Sequence, residues 1–502
     1  MEGYSSDVEY TAHYYKELDP DFLNICAVMA GVTPIETSEP FSYCELGCGH
    51  GLTVLTLATR YPNGTFYAVD YNPSHIAQAR AIAKEIGLEN IQFFEKSFQE
   101  MVEDDSLLPE VDFMVFHGVY TWVNDENRAN IVTLCQRHVI SGGLVYNSYN
   151  AKSGWLYSEP IQKLIWGLSK EFTGSSIEKM KKITQTLESL QEIDSGYFKS
   201  NSAEIKKRID KIKTSNSNYI VHEYLHDSWK AFYFPEVCED MERAKLTYLC
   251  IANPAEVYSD ALLPTSLQER LKDINEHKNR ELLRDLTLNR TFRRDIYSRG
   301  RRRALVESQK VAWFLNKKWI LLRKKGIKKF EFKLSTGVAY GDEPTYRLIV
   351  NTLKDKLMTT KELQEATKIN LSTLVQSLIL LYSSKMVAIY QKRENNKSIE
   401  LNKIIARDTI YGESKYIMLP YANTALSLNS IGLIFLDGYY RGIKDKKRLI
   451  EYVYQILTDR KLDIMQDNQK IKGEAMKNTL YKMEEKLRES FLSILEETGG
   501  VD

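Results

Sequence analysis

The stretch Phe41-Ser42-Tyr43-Cys44-Glu45-Leu46-Gly47-Cys48-Gly49-His50-Gly51 decides the fold. A short apolar run ends in a turn with glycine at alternate positions, and an amphipathic run, Leu52–Arg60, starts directly behind it. Strand, glycine turn and helix make the first half of a βαβ unit. The glycines permit a tight turn and let the backbone approach a ligand at the helix N-terminus, where unpaired N–H groups collect. Downstream, TFYAVD (65–70), IQFFEK (91–96), DFMVFH (112–117) and GGLVYNSY (142–149) are further short apolar runs bounded by turn residues. Amphipathic stretches at 76–86 and 126–139 lie between them. This alternation predicts an α/β fold, a Rossmann-like sheet of parallel strands with right-handed crossovers, over 41–165. Before it, 1–40 reads as an aromatic-rich helical arm, with Phe22, Leu23, Cys26, Val28 and Met29 at helical spacing.

The glycine turn alone does not name its ligand, since nicotinamide enzymes use one too. Here the spacing is G-x-G-x-G, and Glu45 stands two residues before Gly47. Asp70 closes the second strand, where a carboxylate accepts hydrogen bonds from ribose hydroxyls. Tyr71 is placed to cover an adenine face, and Ser97–Phe98 follow the third strand. The expected cofactor-binding set is therefore Glu45, Gly47, Cys48, Gly49, Gly51, Asp70, Tyr71, Ser97, Phe98 and His117.

Together these features resemble class I methyltransferases. The resemblance sharpens at His117-Gly118-Val119-Tyr120-Thr121-Trp122-Val123 and Ser148-Tyr149-Asn150-Ala151-Lys152-Ser153-Gly154-Trp155. It continues through His222-Glu223-Tyr224-Leu225 with Trp229, Phe292-Arg293-Arg294-Asp295, and Leu436-Asp437-Gly438. The succession is similar to class I methyltransferases with an appended regulatory domain, a group that includes the Rickettsia-type outer-membrane-protein lysine methyltransferases. Ser153 stands where that family usually has proline, and the arm looks like a different branch. The resemblance implies S-adenosyl-L-methionine as cofactor, a protein methylated on lysine nitrogen as product, and a homodimer. A small molecule or surface glycan as acceptor, or a non-enzymatic S-adenosylmethionine-binding regulator, are the alternatives.

Methyl transfer from a sulfonium is an in-line displacement that needs an acceptor lone pair aimed at the methyl group and shielded from water. A lysine, with a reference pKa of about 10.4, must first lose a proton. Ligands of open α/β sheets bind at the carboxyl ends of the strands. His117, Tyr120 and Trp122 after the fourth strand, and Asn147, Tyr149 and Asn150 at the end of the fifth, are thus expected to face the methyl group. His117 is expected either to relay the proton or to hydrogen-bond the cofactor's amino-acid end. Trp155, His222 and Glu223 are weaker candidates for the substrate side. His222-Glu223-Tyr224-Leu225-His226 also matches the zinc-protease pattern H-E-x-x-H. Trp229 and Phe232 break its longer form, so no metal is expected there, nor elsewhere in the chain, where the scattered cysteines fit free thiols better than a zinc site.

Beyond Trp155 the strands are expected to stop. Residues 166–335 read as a helical regulatory or substrate domain, 336–410 as winged-helix-like, and 411–502 as a helical C-terminal domain. The candidate recognition helix, 371–384, carries no basic residue, so protein docking is preferred over nucleic acid. From residue 293 to 333, fifteen Lys/Arg face three acids, a stretch that could meet an acidic protein surface. Overall the 502 residues carry a net charge of +1, and six cysteines lie scattered without a C-x-x-C pair. No apolar run reaches the roughly 20 residues of a membrane span. The polar, acidic start is unlike a secretory signal, and a cytoplasmic location is expected.

Overall fold

The computed structural model describes residues 13–501 apart from 194–195, 201, 216, 301, 325, 355, 409–414 and 467–468. The first twelve residues of the arm and Arg301 of the basic stretch lie outside the described residues.

A helix α1 (Pro20–Met29) leads into a seven-stranded sheet. Its strands are β1 (Phe41–Leu46), β2 (Gly64–Asp70), β3 (Ile91–Glu95), β4 (Val111–Phe116), β5 (Val139–Asn150), β6 (Leu246–Ile251) and β7 (Phe292–Arg299). Their order is β3-β2-β1-β4-β5-β7-β6. The first five run parallel, and β7 lies antiparallel between β5 and β6. The crossovers are α2 (Leu52–Arg60), α3 (Pro73–Ile86), α4 (Phe98–Glu103) and α5 (Asp125–His138). Local chemistry fixes their ends. Asn72 caps α3 by accepting from the Ser74 N–H, Pro73 pre-sets the first turn, and Gly87 stops the helix in the left-handed region at φ +71°. Asn124 caps α5 in the same manner.

Strand alternation splits the core into two layers. Tyr43, Phe66, Phe113 and Tyr146 pack on the α1–α2–α3 side, whereas Cys44, Val69, Met114 and Tyr149 pack on the α4–α5 side.

The strands do not stop at Trp155. Between β5 and β6 come α6 (Lys152–Trp155), α7 (Glu159–Glu171), α8 (Ser176–Ile193), α9 (Gly196–Ser200), α10 (Ser202–Thr214), α11 (Ser217–Tyr224) and α12 (Phe234–Arg243). Helices α13 (Thr265–Asp273) and α14 (His277–Thr287) separate β6 from β7. Helices α7, α8, α10 and α11 enclose their own apolar cluster around Ile165, Ile183, Leu187, Ile209 and Tyr224. The chain then returns and completes the sheet, so the boundary expected at 165 cuts through it.

Part of the basic stretch is spent internally. Arg293 is fully buried and pairs with Asp285, Glu281 and Asp295 at 2.8, 3.1 and 2.9 Å. Arg299 and Arg302 donate to the carbonyls of Val139 and Gly142, and Arg302 also to Thr33. Trp319 is buried. These three cations fasten the sheet edge, whereas Arg303, Arg323, Lys328, Lys329 and Lys333 are exposed.

Next come α15 (Glu307–Phe314), β8 (Lys318–Leu321), a hairpin β9–β10 (Glu331–Leu334, Gly337–Tyr340) and α16 (Glu343–Leu353). They lead into β11 (Met358–Thr359), α17 (Thr360–Thr367), α18 (Leu371–Ser383) and β12 (Val387–Tyr390). The expected helix, turn, helix, strand succession is present. The third strand of its sheet, however, is β8 from upstream, in the order β11-β8-β12. The second helix, α18, is core: Leu374, Val375 and every residue from Ser377 to Tyr382 are buried. Its exposed face is short, made of Ser372, Thr373 and Gln376. Further on, α19 (Ser398–Arg407) is followed by two hairpins and several helices that build a separate apolar cluster around Phe435, Leu449 and Leu480. No helix among the described residues is long and apolar enough to cross a membrane.

Candidate active site

The glycine turn sits at the C-terminal edge of β1. The N–H groups of Gly47 and Cys48 both donate to the Val69 carbonyl, at 2.7 and 3.0 Å, which ties the turn to the end of β2. All three glycines occupy the left-handed region, with φ of +71°, +54° and +72°. Their surroundings differ. A Cβ on Gly47 would lie 2.5 Å from Val119 Cγ2, so that glycine serves packing. A Cβ on Gly49 would meet nothing within 4 Å, so that side of its backbone faces open space that a ligand can enter.

Asp70 borders the same space. One carboxylate oxygen accepts from the Gly49 N–H at 2.8 Å; the other accepts from the Asn72 N–H at 2.9 Å and lies 3.3 Å from His75 Nδ1. Glu45 is almost wholly buried, and its Oε2 finds no partner among the described residues. Burial, helped by the Asp70 charge, pushes its carboxyl up to about 8. A buried acid of this kind is relieved by a cation brought against it. Cys48 keeps its thiol protonated for the same reason, since burial holds its pKa well above the usual range. Tyr71 is 63% exposed beside this space. Ser97 is engaged elsewhere: its N–H and hydroxyl both bond Glu100 in the reciprocal cap of α4. Phe98 is half-buried against the α4–α5 core.

A cleft of about 580 Å³ opens past the ends of β4 and β5. Tyr15, His117, Trp122, Asn150, Trp155 and Phe292 line it, with Glu223 from α11 and Glu204, Lys207, Arg208 and Lys211 from α10 as its outer wall. Tyr15 links the cleft to the glycine turn. Its ring is 3.8 Å from that of His117, and its N–H donates to Thr53 Oγ1 on α2, just behind the glycine turn. His117 Nδ1 lies 2.8 Å from the Tyr146 hydroxyl and 3.2 Å from Ser148 Oγ. Burial, with Arg294 and His13 nearby, lowers its pKa to about 3. At neutral pH this imidazole is uncharged and a poor proton acceptor, so of the two roles expected from the sequence the hydrogen-bonding one fits.

Asn150 donates from Nδ2 to Glu223 Oε1 at 3.3 Å, and its N–H donates to Thr121 Oγ1. Trp155 donates to the Thr291 carbonyl, and the Arg208 guanidinium lies 3.9 Å over its ring. His222 is buried on α11. His226 lies beyond the end of that helix, so the two histidines do not share the helical face that a zinc protease needs.

Three expected residues are not at the cleft. Tyr120 is buried on the α4–α5 side and donates to Asp240 at 2.7 Å. Tyr149 donates to Asp295 at 2.6 Å in the same layer. Asn147 is fully buried, with an amide that meets no described partner. The cause is the two-residue period of β5. Tyr146 and Ser148 meet His117 and Gly118, so Asn147 and Tyr149 face the opposite layer. Tyr15, Tyr146, Ser148, Phe292 and the α10 residues went unread. Tyr15 had a signal in the aromatic arm. The α10 wall, some fifty residues past β5, looked like an ordinary solvated helix.

A family model described as a methyltransferase domain matches residues 44–143. Another, a predicted methyltransferase regulatory domain, matches 216–299. The uncharacterized protein sll1526 of Synechocystis sp. is 32% identical over 483 residues, covering 94% of each chain. The uncharacterized protein RP789 of Rickettsia prowazekii is 28% identical over 290 residues, 57% of this chain and 51% of the other. Among solved structures, PKMT2 from Rickettsia typhi superposes with a TM-score of 0.71 at 16% identity, covering 96% of this chain and 98% of that one. Its complex with AdoHcy gives 0.70 at 17% identity, covering 95% and 98%. At such identity the likeness establishes a shared fold.

Proposed function

The chain belongs to the class I S-adenosylmethionine-dependent methyltransferases that carry a regulatory domain, and on that premise we propose that it methylates lysine side chains of a protein. Its cofactor is S-adenosylmethionine, which supplies an electrophilic methyl group on a sulfonium. The glycine turn fits this group. Gly49 leaves open space, Asp70 is fixed where ribose hydroxyls can donate to it, and the unpaired carboxyl of Glu45 suits the α-ammonium of the amino-acid tail. Gly47, Cys48 and Gly51 shape the turn, and Tyr71 covers the base. His117, held by Tyr146 and Ser148, hydrogen-bonds as a neutral ring between the cofactor space and the cleft.

The observation that carries the lysine reading is the make-up of the cleft. Aromatic rings of Tyr15, Trp122, Trp155 and Phe292 suit an aliphatic stem, and Glu223 at its side suits an ammonium. Lys207, Arg208 and Lys211 on the facing wall disfavour a second positive charge, so an entering lysine is pressed toward the neutral form that attacks. With His117 a poor base, the proton leaves to Glu223 or to water in the open cleft. Residues 166–335 build the wall of α10 and α11 and thereby present the substrate. The later regions, 336–410 and 411–502, brace that arrangement, with most of α18 inside the core.

The test is transfer of tritiated methyl from S-adenosylmethionine into a cell lysate, resolved on a gel. Label in protein bands, recovered as acid-stable methyl-lysine after hydrolysis, is the expected result. Label confined to small molecules or glycan refutes the reading.

A further inference from the structure

Away from the cleft, on the far side of the sheet edge, α12 and α14 bring three ligand-bearing side chains together. Cys238 and Glu242 stand one turn apart on α12, hence on one face, and His277 opens α14 opposite them. Cys238 Sγ lies 3.7 Å from His277 Nε2 and 3.7 Å from Glu242 Oε1, and all three ligand atoms fall within 4.8 Å of one another. We propose that Cys238, Glu242 and His277 form a binding site for a zinc-like divalent cation that fastens α12 to α14.

The spacing is that of a tetrahedral site. Zinc–sulfur and zinc–nitrogen bonds of about 2.3 and about 2.1 Å at a tetrahedral angle put sulfur and nitrogen about 3.6 Å apart, and an oxygen ligand about 3.5 Å from sulfur. The two separations from Cys238 Sγ, both 3.7 Å, lie close to these values. A thiolate, an imidazole and a carboxylate are the donor set that selects zinc over magnesium or calcium.

An independent feature points the same way. His277 Nδ1 lies 3.3 Å from Glu276 Oε1, which leaves Nε2 as the nitrogen aimed at Cys238. A carboxylate behind a ligating histidine fixes the tautomer and the ring plane of metal sites. The ring is further held against Tyr248, nearly parallel at 6.3 Å, and against the edge of Phe234. Without an ion, the thiol of Cys238 points its proton at Glu242 Oε1, while Lys278 occupies Oε2 at 2.7 Å. On binding, the thiol proton passes to solvent and the sulfur coordinates as thiolate. The ion's two positive charges are then balanced by Cys238 and Glu242. Cys238 is buried while Glu242 and His277 are exposed, so the ion enters from solvent and water fills the fourth position.

Such a link has a route to the cleft. Helix α14 starts at the site, carries Glu281 and Asp285 to Arg293, and ends beside Leu288, Asn289 and Thr291, which line the cleft.

The full chain, stripped of metal by chelator and dialysed, is titrated with cobalt(II) as a spectroscopic stand-in for zinc. One equivalent should bind, with a thiolate-to-cobalt charge-transfer band in the near ultraviolet and tetrahedral bands in the visible. Zinc added afterwards should abolish both. Cys238→Ser should lose the charge-transfer band, and His277→Ala and Glu242→Gln, both at exposed positions, should each weaken cobalt binding at least about tenfold. Affinity for S-adenosylhomocysteine reports that each variant is folded. Absence of a charge-transfer band in the native chain, or its survival in Cys238→Ser, overturns the proposal. Unchanged cobalt affinity in both His277→Ala and Glu242→Gln does so as well, even if the serine variant fails to fold.

Discussion

Glu45 offers a prediction that can be worked through in numbers. Its ordinary value of 4.5 rises to about 8 in the fold because the carboxyl is buried and faces Asp70. The folded chain without cofactor therefore binds more protons than the unfolded one between pH 4.5 and 8. Stability must fall as pH rises through that window and level off above it. At about 1.36 kcal/mol per pH unit the loss is about 3 kcal/mol by pH 7 and about 5 kcal/mol above pH 8, as an order of magnitude. A carboxyl of this kind is roughly 90% protonated at pH 7. An α-ammonium placed against it brings back the charged form, so cofactor binding should release about 0.9 proton at pH 7 and almost none at pH 9.5. The assay is calorimetric titration with S-adenosylhomocysteine in buffers of differing ionisation enthalpy, where the slope of observed heat gives the protons released. Glu45→Gln should abolish the slope, weaken binding, and leave the cofactor-free protein more stable than the native one at pH 8 in urea. A buffer-independent heat at pH 7, or a Glu45→Gln protein that binds as tightly as the native one, would refute the reasoning.

Four further expectations follow from particular contacts. Tyr120→Phe should leave turnover unchanged and reduce urea stability by about 1.5–3 kcal/mol, since it removes a hydrogen bond to the Asp240 carboxylate away from the cleft. His117→Asn should lower kcat by no more than about tenfold, and the native kcat/KM should show no inflection near pH 6.5, because the ring titrates only near pH 3; a drop beyond a hundredfold would restore it as proton relay. Gly47→Ala should destabilise strongly in a thermal melt and be partly rescued by Val119→Ala, whereas Gly49→Ala should melt within a few degrees of the native chain yet lose cofactor affinity, since only the former meets Val119. Arg293→Met should cost about 3–5 kcal/mol in denaturant unfolding, because it removes the one guanidinium that three buried carboxylates share.

How much of this was legible depended on how plainly each segment advertised its environment. Strands β1 to β5 carry mostly apolar runs because much of each is buried, and their turns hold Gly, Asn or Asp. Strand β7 hid itself. Its Arg293 and Asp295 look solvated in sequence but are buried together, so charge masked a central strand. The basic count from 293 to 333 hid a division for the same reason, as several of those cations close on carboxylates and carbonyls inside the fold while others stay exposed. At the site, the turn from Glu45 to Gly51 and the carboxylate of Asp70 could be read because a short-range pattern encodes them. Asn147 and Tyr149 were misplaced by one strand register, and Tyr120 by the direction of the turn after β4. The α10 wall depends on a helical excursion folding back over the sheet, which spacing along the chain does not reveal.

The account rests on the turn after β1 holding the cofactor with its reactive end toward the cleft. A crystal structure with S-adenosylhomocysteine and a lysine-containing peptide measures this most directly. It should show the ribose hydroxyls on Asp70, the amino group on Glu45, and the sulfur facing a lysine nitrogen between Tyr15, Trp122 and Glu223. Nucleoside bound away from Gly49 and Asp70, or a lysine unable to enter the cleft while the nucleoside is present, would contradict it.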